Sequence, residues 1–398
     1  MGIFKIRGVV QNYAWGGTDY IADLISQPAN DEKCAEYWMG AHDKAPSLIL
    51  ETNKNLNDYI QEYPEQTLGE KVFDRFGRLP FLFKVLDVAD MLSIQVHPSK
   101  AEAEKGFARE NKELIPLSAT HRNYKDDNHK PEIMVALGEF WLLHGFLPAQ
   151  QLKQVLRTTP ELNHLLVVFE EESYRGLYQV VMEEPVEQTN KVLSALIDRV
   201  LPQYKSGKLD KSSPEYWACK AFLTFCPEGN LDKGIYSIFF FNIVKLSAAE
   251  AIFQDAGVPH AYMEGQNIEL MANSDNVLRG GLTPKHVDVP ELLKHVVFEE
   301  TIPNVLGGET QPDGVERIYK SPAPDFELSK IDIETQVDYK NVSSTLEVMI
   351  VLEGEVTAQA GADQVTLKKG EVLAVTAGTA YQISTSSKAE VYKAKCGM

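Results

Sequence analysis

The chain has 398 residues, 44% hydrophobic and 24% charged, which is a globular composition too long for one hydrophobic core, so two or three structural units are expected. Its formal net charge of −18 repels a phosphate backbone and argues against nucleic acid as a partner. The same charge means that a site for a small anion must carry its own local cluster of positive groups. No apolar run approaches the roughly 20 residues of a membrane span, and residues 1–7 lack the apolar segment of a secretory signal. The four cysteines, Cys34, Cys219, Cys226 and Cys396, are too scattered for a disulfide framework. A cytoplasmic protein with reduced thiols and no membrane partner is expected.

In chain order, a short strand pattern leads into QNYAWGG at 11–17, where Tyr13 and Trp15 beside paired glycines read as packing. Strand alternation returns at 35–42, where Glu36 and His42 are candidates to line a pocket, a satisfied polar residue near a strand end being the favoured reading for His42. Spaced apolar positions at 56–76 (Tyr59, Ile60, Leu68, Val72, Phe73, Phe76) predict one or two short helices. The run 79–86 predicts a strand buried on both faces. At 92–97 apolar and polar residues alternate. A strand there sends Leu92, Ile94 and Val96 to a core and Ser93, Gln95 and His97 to the other face, placing an amide oxygen beside an imidazole. Further on, Pro131 biases Lys130 towards extended geometry, so Lys130 and Glu132 project to one side at the start of a strand.

From 148 to about 225 the spacing is helical, with Pro185 and Pro214 where helices begin. Strands are expected to resume at 235–246. The stretch 250–260 (EAIFQDAGVPH) then parallels 371–381 (EVLAVTAGTAY): an acidic residue, a strand, Ala-Gly, a tight turn, and a ring-bearing residue at one relative position. Two related β units follow from this repeat. His260 offers the first a metal ligand, whereas Tyr381 gives the second none, so the C-terminal unit is expected to bind no metal. The Gly- and Pro-rich segment 300–324 predicts a connection, and the short strands after it have the signature of a jelly roll. The expected architecture is mainly β. A cupin-type jelly-roll domain occupies 1–147 and 231–320, a helical insertion 148–230, and a second, C-terminal jelly roll 321–398.

A strand carrying Gln-x-His, a later carboxylate, and a histidine after a glycine turn have the form of a cupin metal site. Gln95, His97, Glu132 and His260 would supply two imidazole nitrogens, a carboxylate and an amide oxygen, a set that suits Zn²⁺ or Fe²⁺.

The segments QNYAWGG at 11–17, AEYWMGAH at 35–42, LSIQVHPSK at 92–100, YKDDNHKPE at 124–132, VPHAYMEG at 258–265 and NIELMANSDNVLRGGLTPKHVD at 267–288 resemble, in order, the motifs of type I mannose-6-phosphate isomerases. The resemblance implies a zinc enzyme that interconverts mannose 6-phosphate and fructose 6-phosphate through a cis-enediol. It further implies one Zn²⁺ per chain on Gln95, His97, Glu132 and His260, and an active-site arginine at Arg279. Such a reaction needs a base, stabilisation of developing oxyanion charge, and a phosphate anchor. Lys130, Asp275 and Glu269 are the base candidates. Lys100, His129, Lys130, Arg279 and Lys285 form the positive cluster that the net charge demands, and Ser93, Lys100, His129 and Lys285 are the expected substrate contacts. A salt bridge from Arg279 to Asp275 at i, i+4 is the competing structural role for Arg279, and a solvated surface role for Lys285. A monomer whose partner is a small phosphosugar is expected. The alternatives are a 2-His-1-carboxylate iron oxygenase, disfavoured by Gln95 and the cationic cluster, and a sugar-phosphate sensor, disfavoured by Lys130, Asp275 and Arg279 beside the ligand set.

Overall fold

The strand His260–Ala272 is the spine of the site-bearing half. Its first residues pair with Phe140–Phe146 and, at His260, with Gln95; from Gly265 onward it pairs with Phe81–Val88, and from Asn267 also with Glu132–Ala136. One strand serves both sides because it bends where the partners change. At the bend Gly265 takes φ +127°, where a Cβ would lie 2.7 Å from the Glu139 carbonyl oxygen, so glycine is required. The computed structural model describes residues 2–28, 31–227, 229–335 and 337–398. Among them it forms a mainly β, cupin-like fold with a helical part, in sheets of ten, nine and four strands.

Phe81–Val88 is buried at all eight positions, as the apolar run predicts. Phe81, Phe83 and Val85 face a core shared with the C-terminal strands, while Leu86 and Val88 join Met134, Phe140 and Leu142 in a second, smaller core. The insertion is helical at Ala149–Thr158, Leu165–Glu183, Val186–Lys205 and Pro214–Phe225. Leu177, Leu193, Leu196 and Trp217 pack on Ile94, Val96, Leu143 and Phe146, so the helices brace the outer face of the strands that carry the site. Among the described residues, no helix is long and apolar enough to cross a membrane.

Several expectations change. Residues 235–246 are not one strand: Gly234–Phe240 is a helix, buried at every position, and only Phe241–Leu246 is a strand. An apolar run without a polar face carries no period to separate helix from strand. Residues 56–76 form three short helices, Leu56–Glu62, Pro64–Leu68 and Glu70–Phe76, divided at Pro64 and at Gly69 with φ +88°. Within 92–97 only Gln95–Val96 is a strand, and Leu92 packs in a different core from Ile94 and Val96. The 300–324 connection contains the strands Glu309–Thr310 and Glu316–Tyr319, which extend the C-terminal sheet.

The first strand, Ile3–Arg7, pairs with Val372–Val375 as well as with Leu48–Ile49. Phe4 and Ile6 thus share a core with Val372, Ala374 and Tyr392. Strand pairing crosses the expected partition between 1–147 and 321–398, because the nine-stranded sheet recruits both chain ends. A separate core of Ile331, Met349, Val356, Leu373 and Tyr381 fills the C-terminal unit.

Candidate active site

Opposed residues of antiparallel strands point to the same face. The register Arg279–Gln95–His260–His144 therefore lays four side chains in a row across four strands. Beside that row, donor atoms of His97, Glu132 and His260 lie within 4.8 Å of one another, all buried. His97 Nε2 is 3.3 Å from one Glu132 oxygen and His260 Nε2 is 3.4 Å from the other. Neither Nε2 has a hydrogen-bond partner. The opposite nitrogens are engaged: His97 Nδ1 lies 2.9 Å from the Asn276 carbonyl oxygen and His260 Nδ1 2.9 Å from that of Val258. A carbonyl only accepts, so each Nδ1 carries the proton and each Nε2 keeps its lone pair aimed inward.

Burial, aided by Lys130, pushes the His97 imidazole down to about 4, so it is neutral at physiological pH. Burial alone would raise the Glu132 carboxyl, but Lys130 and the two histidines hold it well below the usual carboxylate range. Leaving two buried acceptors unpaired costs about 1–3 kcal/mol each. Two imidazoles converging through Nε2 on a carboxylate fit a zinc ion, which would satisfy those buried atoms.

The set opens on a cavity of about 760 Å³. Of the residues expected from sequence, Ser93, Gln95, Lys130, Glu132, His260, Glu269, Asp275, Arg279 and Lys285 line it. Lys130 Nζ is 2.8 Å from Glu132 Oε1, the same-side projection that alternation predicts. Asp275 pairs with Lys44 at 2.5 Å and accepts no bond from Arg279 among the described residues. Burial would raise the Asp275 carboxyl, but Lys44 prevails and lowers it. Glu269 is 2.8 Å from Lys84, yet burial, with the charges of Glu132 and Glu36, raises its carboxyl above the usual value. Of the remaining cavity cations, Lys125 is spent on the backbone carbonyls of Leu117 and Ala119, whereas Arg279 and Lys285 have no ion pair among the described residues, and partial burial lowers the pKa of each.

Two expected substrate contacts lie elsewhere. Lys100 opens the helix Lys100–Lys112, and its Nζ bonds the Asp127 carbonyl and reaches Glu104 at 3.3 Å. His129 pairs with Asp325 at 3.0 Å. In extended backbone neighbouring side chains face opposite ways, so turning Lys130 inward turns His129 outward. Lys84 was not anticipated. It is the one charge inside the apolar run 79–86, and a buried lysine needs carboxylates; Glu36 at 3.4 Å and Glu269 provide them. Burial would lower the Lys84 pKa, but those two carboxylates raise it. Tyr13 and Trp15, stacked at 5.9 Å, line the cavity with Glu36, whereas His42 packs against Trp38 at 4.8 Å.

Residues 3–149 match the catalytic domain of phosphomannose isomerase type I. The mannose-6-phosphate isomerase of Escherichia coli K12 is 38% identical over 379 residues, 92% of this chain and 93% of that one. The human mannose-6-phosphate isomerase is 32% identical over 431 residues, 99% and 98% of the two chains. A crystal structure of mannose 6-phosphate isomerase from Salmonella typhimurium, bound to its substrate fructose 6-phosphate and zinc, has a TM-score of 0.89 and 33% identity with full coverage of both chains. Sequence, fold and a buried His–Glu–His set agree along the whole length, and the chain belongs to the type I mannose-6-phosphate isomerase family.

Proposed function

We propose that the protein is a zinc-dependent isomerase interconverting D-mannose 6-phosphate and D-fructose 6-phosphate. One observation carries this reading: a single cavity joins the buried His97–Glu132–His260 set, with its two free Nε2 atoms, to Arg279 and Lys285, which have no ion pair among the described residues. Gln95, opposite His260 on the neighbouring strand, completes the donor set. Zinc held there supplies Lewis acidity, and hydroxide chemistry is not called for because no water is consumed.

Isomerisation removes the proton from C2 of the aldose, leaves a cis-enediol, and delivers a proton to C1 while O2 becomes the carbonyl oxygen. Of the two carboxylate candidates Glu269 suits the carbon-to-carbon transfer better, because its raised carboxyl is a stronger base than that of Asp275 and Lys84 fixes its orientation. Asp275, held down by Lys44, stays anionic. Lys130 serves the proton exchange between the two oxygens, and Arg279 stabilises the charge that develops on them. Lys285 and Ser93 hold the phosphate end, while Lys100 and His129, paired outside the cavity, take no part. A cytoplasmic monomer with one zinc per chain completes the proposal, the single metal following from the one buried His97–Glu132–His260 set found among the described residues.

A coupled assay for fructose 6-phosphate formation from mannose 6-phosphate tests it on the protein as purified, after chelation, and after zinc is returned. Activity that disappears with the metal and comes back with zinc supports the reading. Absence of turnover in a zinc-loaded, folded protein overturns it.

A further inference from the structure

We infer that Asn276 is a positioning residue that clamps three separate walls of the site into one register; its expected effect on turnover rests on the isomerase reading, but its effect on zinc binding does not. Asn276 is fully buried and does not itself line the cavity. Its side-chain oxygen accepts from the backbone N–H of Lys125 at 2.7 Å and of Asp126 at 3.2 Å. Its side-chain nitrogen donates to the carbonyl oxygens of Asp126 at 2.8 Å and Asn128 at 2.9 Å. An amide offers two donor hydrogens and two acceptor lone pairs, and here all are spent on the loop 125–128 that leads into Lys130 and Glu132.

The backbone carbonyl of Asn276 holds a second wall, for it is the acceptor that fixes the tautomer of His97. The third wall is its own segment. Asp126 Oδ2 accepts from the Asp275 N–H at 2.7 Å and Oδ1 from the Ser274 hydroxyl at 2.7 Å, while Leu278–Arg279 pairs with Gln95–Val96 just beyond. His97, the Lys130–Glu132 pair and Arg279 are remote in sequence, and they meet at this residue: its amide holds the loop, its backbone carbonyl holds His97, and its own segment runs on to Arg279. Aspartate cannot replace it, because the two carbonyl oxygens of the loop require donors and a carboxylate has none.

The test uses the nearly isosteric Asn276→Asp variant, with Asn341→Ala as control; Asn341 bonds Glu347 in the C-terminal unit. Zinc affinity is read by chelator competition, loop order by amide hydrogen exchange, and turnover as separate kcat and KM. For Asn276→Asp, zinc affinity is expected to fall about 10–100-fold, the range for groups that orient a metal ligand, because the loop leading to Glu132 loses two donors. Exchange should quicken at 124–130 and 274–279 but not at 372–395, and kcat should fall more than KM rises. The control should match the parent in zinc affinity and turnover. A folded Asn276→Asp with parental zinc affinity and exchange overturns the inference, as does exchange quickened uniformly along the chain. If that variant does not fold, Asn276→Ala is read in the same way, and failure of both to fold makes the residue a folding determinant and overturns the clamp. A parent that binds zinc without turnover would sink the isomerase reading while leaving the zinc and exchange results to decide Asn276.

Discussion

His260 in the site-bearing sheet and Tyr381 in the C-terminal jelly roll stand at the same place in one local design. Each follows a strand and a left-handed glycine turn, Gly257 at φ +78° and Gly378 at φ +75°, and each ring is buried. Around Tyr381 the polar groups satisfy one another. Its hydroxyl donates to Glu347 at 2.5 Å, Asn341 donates to the same carboxylate, and Lys393 bonds both Tyr339 at 2.6 Å and Glu316 at 2.7 Å. Around His260 they do not, since two imidazole lone pairs converge on a carboxylate with no donor between them. A buried polar cluster that is complete behaves as core; one left with aimed lone pairs calls for a cation.

Exchanging the two rings would break the comparison most sharply. His260→Tyr should remove stoichiometric zinc, by metal analysis, and lower kcat/KM about 10³-fold, since Lewis-acid stabilisation is worth several kcal/mol. The reverse change, Tyr381→His, should leave one zinc per chain and parental activity while lowering stability about 1–3 kcal/mol in denaturant unfolding, because Glu347 loses its donor. A second zinc in Tyr381→His would refute the contrast. Glu269→Gln should keep its zinc yet lose about 10²–10³-fold in kcat if Glu269 is the base. Undiminished turnover would hand that role to Asp275 or Lys130. Arg279→Ala should then cost about 10²-fold, mostly in kcat, and Lys285→Ala about tenfold, mostly in KM, by steady-state kinetics.

The smallest effect is of opposite sign in the two units. In the site-bearing unit His295, with Lys294 and Arg109, holds Glu291 well below the usual 4.5, so its contribution is present above that value and lost as pH falls through the depressed one. In the C-terminal unit burial raises Glu347 despite Lys393, so its contribution is present below 4.5 and lost as pH rises through the elevated value. Glu291→Gln should therefore be less stable than the parent at neutral pH, with a gap that closes on acidification. For Glu347→Gln, stability relative to the parent should rise with pH. Thermal unfolding of both variants from pH 3.5 to 7.5, about one pH step at a time, checks the signs, and parallel curves would reject them.

Much of the site was legible because ligation and alternation are local. The repeat around His260, the Lys130-x-Glu132 pair and the buried strand 79–86 all follow from spacing within a few residues. The helix Gly234–Phe240 was not, since burial on every side erases the periodicity that would reveal it. Lys84 carried a usable signal, a charge where only apolar residues belong, but its partners Glu36 and Glu269 lie on other strands.

By itself, then, the sequence determined that Lys130 and Glu132 share a face, because a strand alternates whatever it packs against. Only the tertiary structure decided which charges are free. Arg279 stands four residues from Asp275, the spacing of a helical ion pair, yet Asp275 sits in a loop tied to Asp126 and Lys44 while Arg279 lies on a strand beside Gln95. Lys44, which neutralises Asp275 and so leaves Arg279 unpaired, is 231 residues away in sequence. Ion pairing depends on distance through space, and no local pattern encodes a contact of that range.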